Sequence, residues 1–286
     1  MDDSTSGDGG SESSGEGAES TGGDGSSDTS DGSSSSGEPG DCNPADAWAV
    51  GGTAAMTAQD CYPDPFAGGA KSCALLCEQI EGPCTSDAPE RQDISEGLTG
   101  LPVRLALAFV DADTCEPVEG AHVEVWHAQR SGVYSGVTPG GDFCYGDDPS
   151  AQKELYFRGS QVTDADGRVD FDTCYPGWYG GRAVHIHFRV VINGVDHLVS
   201  QLYFDDALND EICTTHPEYA DRGVPDTTNV TDLIIGSVDD LSPYVFETQR
   251  MADGAMLASK LVTIRSSSSE PLCSIEVDAG DMGGMG

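Results

Sequence analysis

Basic residues are scarce: 13 lysines and arginines stand against 50 aspartates and glutamates in 286 residues, a formal net charge of -37. A surface of that sign repels phosphate backbones and anionic headgroups, which argues against nucleic acid and acidic lipid as partners. Residues 1–41 lack valine, isoleucine, leucine and every aromatic, and they carry eleven acids and no base. A segment so poor in apolar surface cannot offset the entropy of ordering, and is expected to be a disordered, acidic Ser/Gly-rich tail. No run of about eighteen apolar residues occurs, so no transmembrane segment is expected.

Ten cysteines are present, spread from Cys42 to Cys273 rather than grouped at metal-binding spacings. Disulfides formed in an oxidising compartment are the natural reading, with the pairing left open by sequence alone. Cys73 and Cys77 have the spacing of one helical face, but no second pair follows as in a zinc ribbon. The chain starts without a recognisable export signal, so oxidised cysteines imply that a signal peptide has been removed. The tail resembles the tether of a bacterial surface lipoprotein, and the protein is expected to be secreted, cell-surface or periplasmic with a lipid tether as one option.

Residues 42–100 read as a cysteine-containing helix and loop segment, with a short helix over SCALLCEQI (72–80). From 101 to 270 the period becomes that of strands. LPVRLALAFVD and AHVEVWHA alternate, Asp-Gly marks a tight turn in VTDADGRVDF, and Asn193-Gly194 joins RAVHIHFRVVI to VDHLVSQLYF as a hairpin. Beyond residue 205 the chain is loop-rich until a strand over ASKLVTIRS, and 271–286 read as a flexible tail. Short strands joined by turns predict a mainly β protein, an antiparallel β-sandwich.

Chemistry concentrates in RAVHIHFRV. Side chains two apart in a strand share a face, so His185 and His187 point one way and Val184, Ile186 and Phe188 the other. Buried neutral imidazoles need partners, and a metal ion is one. Tyr179 lies six residues upstream in a Pro/Gly loop, YPGWYGGR, able to fold back on the histidines; Tyr134 follows the strand that ends in WHAQRSGVYSG. Two phenols and two imidazoles favour a hard, redox-capable ion such as Fe(III), whereas zinc sites usually take Cys, His or carboxylate.

These runs, with FRGSQVTDADGRVDFDTCYPGWYGGRAVHIHFRV and SQLYFDDALND, resemble the intradiol ring-cleavage dioxygenases, especially their secreted bacterial branch, from EGPCTSDAPERQDISEG to TTNVTDLI. The resemblance implies one Fe(III) per chain held by Tyr134, Tyr179, His185 and His187, with catalytic roles for Tyr179 as the phenolate that takes a proton, Arg182 as a fixed positive charge, and Gln201 as a group that helps by hydrogen bonding. Gln201 also lies in the partner strand of the hairpin, close to the histidines. The implied reactants are a small aromatic diol and O2, the product a muconate-type diacid, and the oligomeric state is left open. The chain departs from the secreted branch at Cys84, where tyrosine is usual, and at Ala128, where cysteine is usual. Cys174 also stands where an aliphatic is usual, and Cys115 loses its expected partner, so the disulfide map is redrawn. The loop around residue 84 then borders the pocket. Two alternatives remain: a non-catalytic β-sandwich binding module, and a zinc or copper ion on the same quartet. His122, His127, His197 and His216 are read as structural, Trp126 and Phe188 as core, and Asn229-Val-Thr as a glycosylation acceptor pattern.

Overall fold

The computed structural model describes residues 42–69 and 73–275. The expectations for the 1–41 tail and for residues 276–286 lie outside the described residues. Eight strands are present among the described residues: β1 (Pro102–Asp111), β2 (His122–Trp126), β3 (Arg158–Val162), β4 (Arg168–Cys174), β5 (His185–Ile192), β6 (Val195–Tyr203), β7 (Glu247–Arg250) and β8 (Met256–Ile264). They form two four-stranded sheets, ordered β4-β1-β8-β7 and β3-β2-β5-β6. The second sheet is antiparallel throughout, whereas β1 and β8 in the first run parallel, so the sandwich is mixed in one layer.

Alternation explains the core between the layers. Val103, Leu105, Leu107 and Phe109 of β1 meet Val123 and Val125 of β2 and Ile186, Phe188 and Val190 of β5 in one buried cluster. β1 is an almost continuous apolar run because its other face is covered too: Ala106 packs with Met251, Leu257, Tyr62 and Phe66. The β5–β6 hairpin turns at Asn193 and Gly194 with φ of 53° and 78°, the paired positive values that an Asn-Gly turn supplies. It sets the register His187↔Gln201 and His185↔Tyr203. The Asp-Gly turn between β3 and β4 instead hands the chain from one sheet to the other.

Residues 73–80 form no helix. The segment is extended, with Leu76 N–H donating to Thr263 O and Glu78 bridging Ser274. The i, i+4 cysteines that suggest a helical face go to different partners: Cys73 bonds Cys115 and Cys77 bonds Cys273. The first residues of the expected C-terminal tail are thereby anchored, since Ile275 N–H also donates to Glu78 O. Cys42–Cys61 and Cys84–Cys144 complete four disulfides, and Cys174 and Cys213 are buried thiols. The loop-rich region holds a helix, α1 being the single turn Asp142–Tyr145 and α2 Asp206–Thr215, whose N-cap Asp205 accepts from Ala207 and Leu208 N–H. Asn229 is buried and donates through Nδ2 to Phe204 O, so Asn-Val-Thr offers no accessible acceptor in the folded chain. No helix among the described residues is long and apolar enough to cross a membrane.

Candidate functional site

His185 and His187 lie on the face of the second sheet turned away from the inter-sheet core. They are nevertheless buried, because a second cluster of Trp126, Tyr134, Cys84, Cys144 and Val199 covers that face. Trp126, opposite His187 across the β2–β5 ladder, stacks on its ring at 4.9 Å and 8°. It walls the site rather than filling the main core. His185 Nδ1–H donates to Ala183 O at 2.6 Å, which leaves the Nε2 lone pair facing the centre.

The two tyrosines arrive on loops that only glycine lets touch. A Cβ on Gly132, whose φ is 86°, would stand 2.6 Å from Trp178 O, and one on Gly177 would stand 2.3 Å from Arg130 O. Arg222 ties the loops together, donating through Nη1 to Arg130 O and Trp178 O and stacking over the Trp178 ring. Tyr134 is fixed further by its N–H to Cys144 O and is fully buried, while Tyr179 stays partly open to a cavity.

The four expected residues converge. Tyr134 Oη lies 3.3 Å from both Tyr179 Oη and His185 Nε2, Tyr179 Oη lies 3.2 Å from His185 Nε2, and His185 Nε2 lies 3.1 Å from His187 Nε2. Tyr134 Oη, Tyr179 Oη and His185 Nε2 form a triangle with edges of 3.2–3.3 Å and His187 Nε2 lies 3.1 Å from one corner, a spacing compatible with bonds of about 2 Å from nitrogen and oxygen to a transition metal among them. Burial, then the neighbouring Tyr179, pushes the Tyr134 phenol well up; burial pushes Tyr179 up against the opposing pull of Arg182. Burial, with Arg182 second, pushes His185 down to about 3, and burial with His185 second pushes His187 well down. Two neutral imidazoles with inward lone pairs and two phenols costly to ionise alone form a donor set that a cation completes, because a metal inverts the penalty on phenolate. The residues therefore fit a metal ion.

Arg182 borders the same centre, 5% exposed. Burial opposes its charge, yet Tyr179, Tyr203 and Asp232 push its pKa up. Its Nε donates to Asp232 Oδ2 at 2.9 Å and its Nη2 to Gln201 Oε1 and Tyr203 Oη. Gln201 in turn donates through Nε2 to Ile80 O at 2.9 Å. Gln201 thus sits behind Arg182 and outside the cavity lining, whereas Arg182, Tyr179 and His187 face a cavity of about 270 Å³.

Sequence reasoning missed Asp232, which is fully buried. Its Oδ2 also accepts from Ala183 N–H and its Oδ1 from Ile234 and Ile235 N–H; burial raises its pKa, but Arg182, His185 and the Ile234 N–H together hold it low. A lone acid ahead of Leu-Ile-Ile was the available signal, since a charge in such company needs a buried partner. His127, bonded to Ala128 O and Thr173 Oγ1, is structural as expected.

The family model described as Dioxygenase matches residues 81–234, more than half of the chain. Catechol 1,2-dioxygenase 1 of Acinetobacter lwoffii is 33% identical over 104 residues, 30% of each chain, and chlorocatechol 1,2-dioxygenase of Pseudomonas putida is 29% identical over 138 residues, 41% of this chain and 48% of that one. The chain spans 30% to 62% of the length of the curated relatives it matches. An intradiol ring-cleavage dioxygenase from Tetranychus urticae superposes with a TM-score of 0.60 at 28% identity, over 70% of this chain and 99% of that one. The four converging side chains lie within the matched span, and on that match and these likenesses the chain belongs to the intradiol ring-cleavage dioxygenase family.

Proposed function

We propose that this chain is a non-haem Fe(III) intradiol dioxygenase that inserts O2 between the two hydroxylated carbons of a catechol to give a muconate-type diacid. The observation that carries the reading is the cluster of donor atoms in which Tyr134 Oη, Tyr179 Oη and His185 Nε2 lie 3.2–3.3 Å from one another and His187 Nε2 lies 3.1 Å from His185 Nε2. These four would hold the ion, which would supply Lewis acidity and a ferric redox centre to a catechol in the site.

The chain's own groups do the rest. His185 and His187 keep neutral lone pairs on the centre, one ring fixed by Ala183 O and the other by Trp126. Tyr134, buried and tied through its backbone to Cys144, is the phenol that stays. Tyr179 faces the cavity from its loop, so its Oη is placed to take the proton of an arriving catechol hydroxyl. Arg182 puts a fixed positive charge beside that ring, where negative charge develops. Asp232 and Gln201 hold the guanidinium in place, and Gln201 acts through Arg182 rather than on the ring. Leu233, Ile234 and Phe143 give the cavity apolar walls. Four disulfides suit an oxidising compartment and support a location outside the cytosol.

Turnover of catechol under heavy-isotope O2 tests the reaction. Both labelled atoms should appear in one diacid; a yellow semialdehyde, or no product from the iron-loaded protein, would overturn it.

A further inference from the structure

Tyr134 is held from behind rather than at its phenol. Its Oη meets Tyr179 Oη and His185 Nε2, both members of the same quartet, so its aim depends on its backbone and on what packs around the ring. Its N–H donates to Cys144 O at 2.8 Å, and it shares a buried cluster with Cys84 and Cys144. Those two cysteines form a disulfide that spans a sequence separation of 60 and ties the 83–86 segment to the 134–144 loop. The two pieces lie in close contact. Gly140 N–H donates to Pro83 O at 2.9 Å, Ser86 Oγ donates to Val137 O at 3.0 Å, and a Cβ on Gly136 would stand 2.6 Å from Ser86 Oγ.

A buried charge works against that contact. Arg158, 1% exposed, lies at the seam; it donates through Nη2 to Cys84 O at 2.7 Å and Ser135 O at 2.6 Å, and through Nε to Ser135 O at 3.0 Å. These acceptors are neutral, and its Nη1 has no partner among the described residues. A guanidinium buried against neutral acceptors gains hydration if the seam parts. Hydrogen bonds across the seam exchange for bonds to water at little net cost, whereas the disulfide restricts the open states themselves. Cys84 also lines the cavity beside the quartet, which gives a small dithiol a route to this bond.

We propose that the Cys84–Cys144 disulfide is the brace that positions Tyr134, and that its reduction frees the phenol and weakens the grip on the metal. The inference rests on the ferric reading for its metal arm and on the loop geometry for its positioning arm. Reduction runs by thiol–disulfide exchange: a thiolate of the dithiol attacks Cys84 Sγ, and Cys144 leaves as a thiolate and takes a proton. The second sulfur of the dithiol then displaces Cys84, which leaves the same way. The dithiol ends as a cyclic disulfide, and the protein has gained two electrons and two protons. Hydrogen–deuterium exchange of the metal-free full chain, read on peptides covering Tyr134 before and after dithiol treatment, tests the positioning arm, with thiol labelling to show that Cys84 and Cys144 have opened. Exchange there should quicken at least about tenfold. Cys84→Ser with Cys144→Ser should reproduce this without reductant, and Cys42→Ser with Cys61→Ser, whose disulfide lies outside the cluster, should not. In the iron-loaded chain, Cys84→Ser with Cys144→Ser should retain iron roughly 10- to 100-fold less well against a chelator, the range for losing a group that orients a metal ligand. The visible band per retained iron should fall to that of Tyr134→Phe. Unchanged exchange at Tyr134 with Cys84 and Cys144 opened, or quickened exchange with iron retention and band unchanged, would overturn the proposal. An untreated chain that takes up no iron yet shows the quickened exchange on reduction refutes the ferric centre and leaves the brace standing.

Discussion

Asp232→Asn probes how Arg182 is held. The pair is buried on both sides, with side chains 6% and 0% exposed. Asp232 receives four donors, two on each oxygen: Arg182 Nε–H and Ala183 N–H on Oδ2, Ile234 and Ile235 N–H on Oδ1. The amide keeps the shape but removes the charge, and whichever way it flips its NH2 group faces two donors. Removing one partner of a buried pair costs about 3–5 kcal/mol. At a urea slope of about 2–3 kcal/mol per molar, the unfolding midpoint should fall by roughly 1–2 M with the slope unchanged. The pH dependence has a definite sign. Asp232 has its pKa lowered in the fold, so its contribution is present above the unfolded carboxylate value of about 3.9 and is lost as pH falls through the folded one. The difference between wild type and variant should therefore hold constant from about pH 8 to pH 5 and shrink below about pH 4. A midpoint shift under about 0.3 M, or a difference that persists at low pH, would refute the buried-pair account.

Three further predictions follow from other parts of the site. His127, pushed down to about 4 by burial, resists a proton that the unfolded chain accepts near 6.5; stability should fall with pH across that window by about 1.4 kcal/mol per unit, and His127→Gln should remove that share of the slope in urea titrations at several pH values. Tyr179→Phe should still bind iron by elemental analysis while turnover of catechol drops roughly 10²- to 10⁴-fold, and full activity would contradict the base assignment. Gly177→Ala sets a Cβ 2.3 Å from Arg130 O, whereas Gly180→Ala meets nothing nearer than Asp226 Oδ2 at 3.7 Å; the first should lower stability by about 1–3 kcal/mol and weaken iron retention, and the second should do neither.

What could be read from sequence was what local rules control. The Asn193-Gly194 hairpin, the shared face of His185 and His187, and the Gly/Pro loop that returns Tyr179 all depend on residues close together in the chain. Misreadings arose where distant partners decide. The segment 73–80 has a helical cysteine spacing, yet disulfides to Cys115 and Cys273 draw it out as extended chain. β1 pairs in parallel with β8 across some 150 residues, and no periodicity announces that. Asp232 is an ordinary acid until Arg182 lies beside it, and Asn229 is an ordinary acceptor motif until Phe204 O takes its amide. The short helix at 206–215 sits in a stretch whose acids and turn formers read as loop.

Iron content and colour test the central claim most directly. Protein produced with iron supplied and then freed of loosely bound metal should retain one iron per chain and show a broad visible band from phenolate-to-Fe(III) charge transfer, which weakens in Tyr134→Phe and disappears with the metal in His185→Ala. A colourless protein that takes up no iron, with the fold intact, would contradict the assignment of Tyr134, Tyr179, His185 and His187 as a ferric centre.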